Sequence, residues 1–277
     1  MRIARVFPRL TNATPNDELA FISQPPKVLP EISAINISVT FSYDINKAEQ
    51  LAETWSKTGL PVKLGGPALS DKGGPFEPGK YLRKGYVITS RGCPNKNGCW
   101  FCSVPIREGS IRELPITVGW NVLDSNLLAC SEIHVRAVFN MLKQQPERPV
   151  FTGGLEARLL RTWHVDLLRE VKTKRLYCAY DNQDDFEALV CAGKLLRDGG
   201  ITKASHTARC YVLIGYPGDK FEKAEKRLRE AWVAGFLPFA MLYRNEKGEV
   251  MPDWTHFQRM WARPHIVHHL LKEDSIA

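Results

Sequence analysis

Three cysteines lie close together in the segment SRGCPNKNGCWFC (90–102) of this 277-residue chain. Cys99 and Cys102 form a C-x2-C pair, and Cys93 precedes Cys99 by six positions. Free cysteines usually pack one at a time in protein cores, so three in a loop rich in Gly, Asn and Lys indicate another use. In a reducing compartment, clustered cysteines more often bind metal or act in catalysis than form disulfides.

The spacing of these cysteines distinguishes several kinds of site. A structural zinc ion would need a fourth thiolate or imidazole, and the nearest candidates, Cys130 and His134, lie almost thirty residues away. A redox C-x2-C pair would leave Cys93 without a role. An iron–sulfur cluster fits better, because thiolates are its usual ligands and three of them leave one iron open to a further ligand.

Six apolar, strand-like runs follow residue 85, and their starts lie 26 to 33 residues apart. That distance is typical of one strand and its crossover helix. Alternating strands and helices predict an α/β fold with a parallel sheet, here an open, partial (βα)6 barrel. The six runs are 86–89, 116–123, 149–154, 175–181, 208–216 and 237–245.

The segment 90–102 comes directly after the first of these runs. Sites in such folds gather at the carboxyl ends of the strands, so we expect the cysteines at that edge. Helical patterns fill the gaps between runs. Ser131 is a predicted N-cap, and Asp184 with Glu187 has the spacing of a capping box.

We predict a small α/β half-domain over residues 1–80, the partial barrel over 81–250, and a tail over 251–277 that packs on the barrel. In the half-domain, apolar strand-like runs and one helical stripe precede a linker rich in Gly and Pro. The runs are 3–7, 35–41 and 61–66, the stripe is 45–55 and the linker is 67–80. In the tail, Trp254, Phe257 and Trp261 have helical spacing, and Pro264 should break the helix.

Composition and charge narrow the class of protein. The net charge of +8 permits contact with nucleic acid, but the charge is spread along the chain, so we do not favour it. No apolar run is long enough for a transmembrane helix, and the first residues do not read as a secretory signal. We therefore expect a cytoplasmic protein without a membrane partner.

The segment SRGCPN…CWFC, placed after the first strand of a partial barrel, resembles the cluster loop of the radical S-adenosylmethionine (SAM) superfamily. That loop typically reads C-x3-C-x2-C with an aromatic residue before the last cysteine, which is Phe101 here. Five residues, PNKNG, separate Cys93 from Cys99 instead of three, and we expect an Asn-Gly turn to absorb the difference. The resemblance covers about residues 80–250, including SVPIREGSIREL and YVLIGYPGD.

This resemblance implies that Cys93, Cys99 and Cys102 hold a [4Fe-4S] cluster whose fourth iron is chelated by SAM. One electron from the reduced cluster would cleave SAM to methionine and a 5′-deoxyadenosyl radical, which abstracts hydrogen from a substrate. An external electron donor such as flavodoxin or ferredoxin is implied too. The substrate, small-molecule or macromolecular, is not encoded in any spacing of the sequence.

The resemblance also suggests SAM contacts at the ends of the later strands, for the amine, the carboxylate, the ribose and the adenine. Glycines there would let the backbone approach the ligand closely. Ordinary structural roles, as turns or helix caps, remain open for the same positions. The candidates are Asp124, Asn126, Gly153, Gly154, Glu156, Arg158, Asp181, Gly215 and Tyr216.

Three further expectations stay open at this stage. The N-terminal region weakly resembles a truncated cobalamin-binding α/β domain, but no histidine precedes His134, so we do not predict cobalamin. Arg107 and Glu108 could contact substrate or form a surface ion pair. The alternative functions are a zinc-stabilised, basic nucleic-acid-binding protein and a radical SAM enzyme that modifies RNA.

Overall fold

The computed structural model describes residues 2–71, 74–95 and 99–273. Within these ranges the chain is an α/β protein with two parallel sheets, each of which has its own hydrophobic core. The predicted Asn97-Gly98 turn and part of the linker, Lys72 and Gly73, lie outside the described residues.

The N-terminal sheet has four parallel strands in the order β2-β1-β3-β4. Helix α1 (Ile45–Ser56) connects β3 to β4 and buries one face, on which Trp55 is the largest side chain. The three predicted strands and the helix are confirmed, whereas β2 was not predicted. The strands are β1 (Ile3–Phe7), β2 (Ala20–Ile22), β3 (Ala34–Ser38) and β4 (Val62–Gly65).

The second sheet has six strands among the described residues, all parallel and neighbouring one another in chain order. Each of them falls within one of the six predicted runs. Two short strands, β6 and β7, pair antiparallel beside this sheet. In chain order, β5 is Tyr86–Val87, β6 Ser90–Arg91, β7 Arg112–Glu113, β8 Asn121–Val122, β9 Val150–Phe151, β10 Arg175–Ala179, β11 Ala208–Ile214 and β12 Leu237–Leu242.

Helices connect the strands and cover the second sheet. The Oγ of Ser131 accepts a hydrogen bond from the backbone N of His134 at 3.2 Å, so the predicted N-cap of α3 is confirmed. The predicted capping box at Asp184 is wrong, because a 3-10 turn occupies Gln183–Asp185 and no side chain caps α5. The helices are α2 (Val104–Glu108), α3 (Glu132–Lys143), α4 (Thr162–Glu170), α5 (Phe186–Asp198), α6 (Phe221–Val233), α7 (Pro252–Trp261) and α8 (Pro264–Glu273).

The two tail helices belong to the core of the second sheet. Trp254, Phe257 and Trp261 are all buried there, as their spacing predicted. Pro264 opens α8 and so separates it from α7. No helix in the described ranges combines the length and the apolar character needed to cross a bilayer.

The chain between the two sheets is fastened to the N-terminal unit. The guanidinium of Arg5 donates to the carbonyls of Gly79 and Lys80 at 3.0 and 2.8 Å. The backbone N of Arg83 donates to the carbonyl of Ala13 at 2.7 Å. The entry to β5 is therefore held from the N-terminal side as well as by its own sheet.

Candidate functional site

The cysteine loop, residues 92–111, is closed at its base by the pairing of β6 with β7. Gly92 has a φ of +85°, and a Cβ there would stand 2.3 Å from the carbonyl oxygen of Ser110. The backbone N of Cys93 donates to the carbonyl of Gly109 at 3.1 Å. Only glycine fits this position, because the two ends of the loop approach each other closely here. This approach fixes the backbone position of Cys93.

Glu108 connects the two ends of the cysteine loop by hydrogen bonds. It is 8% exposed, and its carboxylate accepts from the backbone N of Gly92 at 3.1 Å and from Nη2 of Arg107 at 3.0 Å. The ion pair is therefore a buried part of the loop rather than a surface pair.

Asp124 anchors the strand from which the loop departs. Its carboxylate is 1% exposed and accepts from the backbone N of Thr89 at 2.6 Å, from Oγ1 of Thr89 at 2.5 Å and from Oγ of Ser90 at 2.8 Å. Burial raises the pKa of Asp124, and these hydrogen bonds act in the opposite direction. The carboxylate predicted to contact SAM is thus occupied by the chain itself.

Two of the three thiols in the cysteine loop, those of Cys99 and Cys102, have raised pKa values. The backbone N of Cys102 donates to the carbonyl of Cys99 at 3.0 Å, which makes the C-x2-C pair a tight turn. Burial and then the neighbouring Cys102 raise the pKa of Cys99 to about 11. Burial, with a further contribution from Cys93, raises the pKa of Cys102. Raised pKa values favour the protonated thiols. A bound cation would have the opposite effect, because it stabilises thiolates.

Asn126, beyond the end of β8, lies against the first of these thiols. Its Nδ2 is 3.5 Å from Sγ of Cys93, and the side chain is 4% exposed. Its Oδ1 is buried without a hydrogen-bond partner among the described residues. The structure therefore brings this predicted residue to the cysteines, with one polar atom still unused.

The cysteine loop also reaches the opposite edge of the six-stranded sheet. The ring of Trp100 packs edge-on against Tyr216 at 5.1 Å between centroids and lies 6.3 Å from Tyr243. Tyr216 and Tyr243 follow β11 and β12, whereas the loop starts from β5 at the other edge. Trp100 and Tyr243 were not predicted as site residues. The position of Trp100 between two cysteines was a sequence signal that could have indicated a role for it.

Two predicted acids act on Cys99 through their charge. The charges of Asp181 and Glu156 both contribute to the raised pKa of its thiol. The Oδ1 of Asp181 accepts from the backbone N of Leu213 at 2.6 Å, and burial raises the pKa of Asp181 to about 6. Asp181 therefore bonds to β11 rather than capping the helix that follows it.

The remaining predicted residues lie at strand ends or in an ion pair. A Cβ on Gly153 would stand 2.2 Å from the carbonyl oxygen of Asp124, so Gly153 lets the ends of β8 and β9 meet. Gly154 has a φ of +93°, which glycine adopts readily. Arg158 forms an ion pair with Asp185. Gly215 packs under the ring of Trp254, where a Cβ would be 2.8 Å from the nearest ring atom.

The geometry does not support zinc held by these cysteines together with Cys130 or His134. Cys130 lies beside Ser90 and Asp124, and Nδ1 of His134 is 3.8 Å from a carboxylate oxygen of Glu113. In the part of the chain that the structure describes, no three His, Cys, Asp or Glu side chains are close enough to share one metal ion. Three thiolates without a nearby imidazole are the donor type that iron–sulfur clusters take, so the chemistry of this donor set is compatible with a cluster.

No protein-family model matches this chain, and a search of the curated proteins finds no significant match. The function is therefore argued from the residues and their geometry.

Proposed function

We propose that the chain is a radical SAM enzyme in which Cys93, Cys99 and Cys102 hold a [4Fe-4S] cluster at the carboxyl edge of a partial (βα)6 barrel. One observation carries the proposal. The loop that bears the three thiols leaves β5 and places Trp100 against residues that follow β11 and β12. The thiols thus lie over the edge at which sites of parallel sheets are built.

The polar groups around the thiols suit the amino-acid end and the ribose of SAM. The unpartnered Oδ1 of Asn126 is a ready acceptor for an amine. The charges of Glu156 and Asp181 act on the Cys99 thiol, and we propose that these carboxylates accept from an amine or from ribose hydroxyls of the bound ligand. Asp124, Gly153 and Gly215 are proposed to support this site from behind rather than to touch the ligand.

Aromatic side chains form another side of the proposed site, which we call the aromatic wall. Trp100, Tyr216 and Tyr243 together offer ring faces and edges of the kind on which adenine stacks. Such a wall would also keep water from a reactive site. When bound, the reduced cluster supplies the one electron that cleaves SAM to methionine and a radical able to abstract hydrogen from a substrate. An external donor such as flavodoxin or ferredoxin would supply that electron.

The test is anaerobic reconstitution with iron and sulfide, reduction with dithionite, addition of SAM, and detection of 5′-deoxyadenosine by mass spectrometry. We expect the nucleoside with the wild-type protein. Cys93→Ala, Cys99→Ala and Cys102→Ala should each lose the cluster absorbance and the nucleoside. The control is Cys191→Ala, because Cys191 is an exposed thiol on α5, outside the loop.

Two outcomes would contradict the proposal. A colourless protein that binds one zinc ion would favour the zinc-stabilised alternative. Full iron content in any of the three loop variants would show that the ligand assignment is wrong.

A further inference from the structure

The side chain of Asn126 is held firmly in a buried position beside Cys93. Asn126 is the residue before a 3-10 turn, Leu127–Ala129, whose Leu127 and Leu128 are buried in the main core. The backbone N of Ala129 donates to the carbonyl of Asn126 at 3.2 Å. With both flanks fixed, the amide has little freedom to leave the thiol that it faces.

The hydrogen-bonding state of this amide is unusual for a buried group. Nδ2 lies 3.5 Å from Sγ of Cys93, while Oδ1 has no partner in the described chain. Leaving such an acceptor unpaired in a buried position is unfavourable, so a side chain without a ligand role would be expected to have a full set of partners. The half-satisfied amide indicates that something else completes the site.

An N–H donor at a ligating sulfur has a specific effect on an iron–sulfur cluster. It withdraws negative charge from the thiolate and stabilises the reduced form, which carries one more electron, so the reduction potential rises. Groups that orient a metal ligand also strengthen its hold on the metal.

We propose, as an extension of the function proposed above, that Asn126 is a positioning residue for the cluster. Its Nδ2 donates to the ligating Sγ of Cys93, which raises the cluster's reduction potential and holds Cys93 in its ligating orientation. Its Oδ1 faces the molecule bound beside the cluster. One side chain thereby connects the ligand site to the electronic state of the cluster.

The experiment compares the reconstituted wild-type protein with Asn126→Leu, which keeps the shape but has no donor, and with Asn126→Asp, which replaces the donor by an acceptor. Midpoint potentials are measured by redox titration monitored by electron paramagnetic resonance. We expect lower potentials in both variants, with the larger shift for Asn126→Asp. The affinity of both variants for iron, measured by competition with a chelator, should fall about 10- to 100-fold.

The matched control is Asn121→Asp, the same substitution at the start of β8, where Oδ1 of Asn121 accepts from Oγ1 of Thr152 at 2.6 Å. Its potential should equal that of the wild type. Unchanged potentials in both Asn126 variants, in folded proteins that carry the cluster, would overturn this inference and leave the proposed function intact. A wild-type protein that forms no cluster would overturn both.

Discussion

Asp124 shows how much one buried side chain contributes to the candidate site without touching a ligand. Its two carboxylate oxygens receive three hydrogen bonds from Thr89 and Ser90. These two residues lie between β5 and the first turn of the cysteine loop, so the carboxylate determines where the loop leaves the sheet. The carbonyl of Asp124 also requires Gly153 opposite it.

Asp124→Ala should lower the free energy of unfolding by about 2–3 kcal/mol, because the substitution leaves buried donors on Thr89 and Ser90 without an acceptor. Urea unfolding of the metal-free protein measures this loss. The control is Asp166→Ala on α4, whose carboxyl group is 65% exposed, and which should change stability by about 0.5 kcal/mol at most. Equal stabilities of the two variants would show that the Asp124 network is dispensable.

Sequence patterns located the cysteines but could not assign the roles of their neighbours. The thiols are recognisable because type and spacing alone indicate a ligand set. Asp124 and Asn126 looked equivalent, two polar residues at a strand end. Their roles depend on which partners the fold brings near, Thr89 for the carboxylate of Asp124 and Cys93 for the amide of Asn126. Such contacts join residues more than thirty positions apart, and no local pattern records them.

At the scale of elements, the regular spacing of apolar runs predicted all six strands of the larger sheet. The spacing predicts strands because each buried strand needs an apolar run, and each crossover between parallel strands needs a helix of similar length. Strand β2 escaped prediction because it has three residues, Ala20–Ile22, and none of them is buried. The predicted helix start at Asp184 was wrong because a 3-10 turn intervenes before Phe186.

Helix α4 shows how one buried imidazole links stability to pH. The Nδ1 of His164 accepts from the backbone N of Arg161 at 3.0 Å, so this nitrogen must be unprotonated. Burial, followed by the charge of Arg161, lowers the pKa of His164 to about 4. The unfolded chain therefore binds the proton more tightly than the folded one, and folding is favoured where the imidazole is neutral.

We expect wild-type stability to fall as the pH is lowered from about 6.5 to about 4, by roughly 2–3 kcal/mol from this group. His164→Gln removes the titrating group and should flatten this part of the pH profile. Urea unfolding at several pH values between 4 and 7 measures the difference. His256→Gln, at an exposed position on α7, should keep the wild-type profile. Parallel profiles for the wild type and His164→Gln would refute the assignment.

At the scale of the whole molecule, the candidate site is assembled from parts that are distant in the chain. The cysteine loop supplies the thiols and Trp100, and the strand ends supply Asn126 and Tyr216. The tail supports this arrangement from behind, because the ring of Trp254 lies over Gly215, next to Tyr216. Trp254 also packs on Phe221 at 4.3 Å between ring centroids.

Substitutions of two tryptophans should therefore affect different properties, the stability of the fold at Trp254 and the activity of the proposed site at Trp100. Trp254 is 4% exposed, and Trp254→Ala should lower the free energy of unfolding by about 3–5 kcal/mol. Trp100 is 58% exposed, so Trp100→Ala should cost at most about 1 kcal/mol but reduce the yield of 5′-deoxyadenosine, because the aromatic wall loses its central ring.

Urea unfolding of the metal-free variants and the nucleoside assay of the reconstituted ones give the two readouts. A stable Trp254→Ala protein would mean that the tail is not part of the main core. A Trp100→Ala protein with full nucleoside yield would mean that adenine does not use this wall. Loss of the nucleoside with unchanged stability is the result that would connect the aromatic contact across the sheet edges to the chemistry of the thiols.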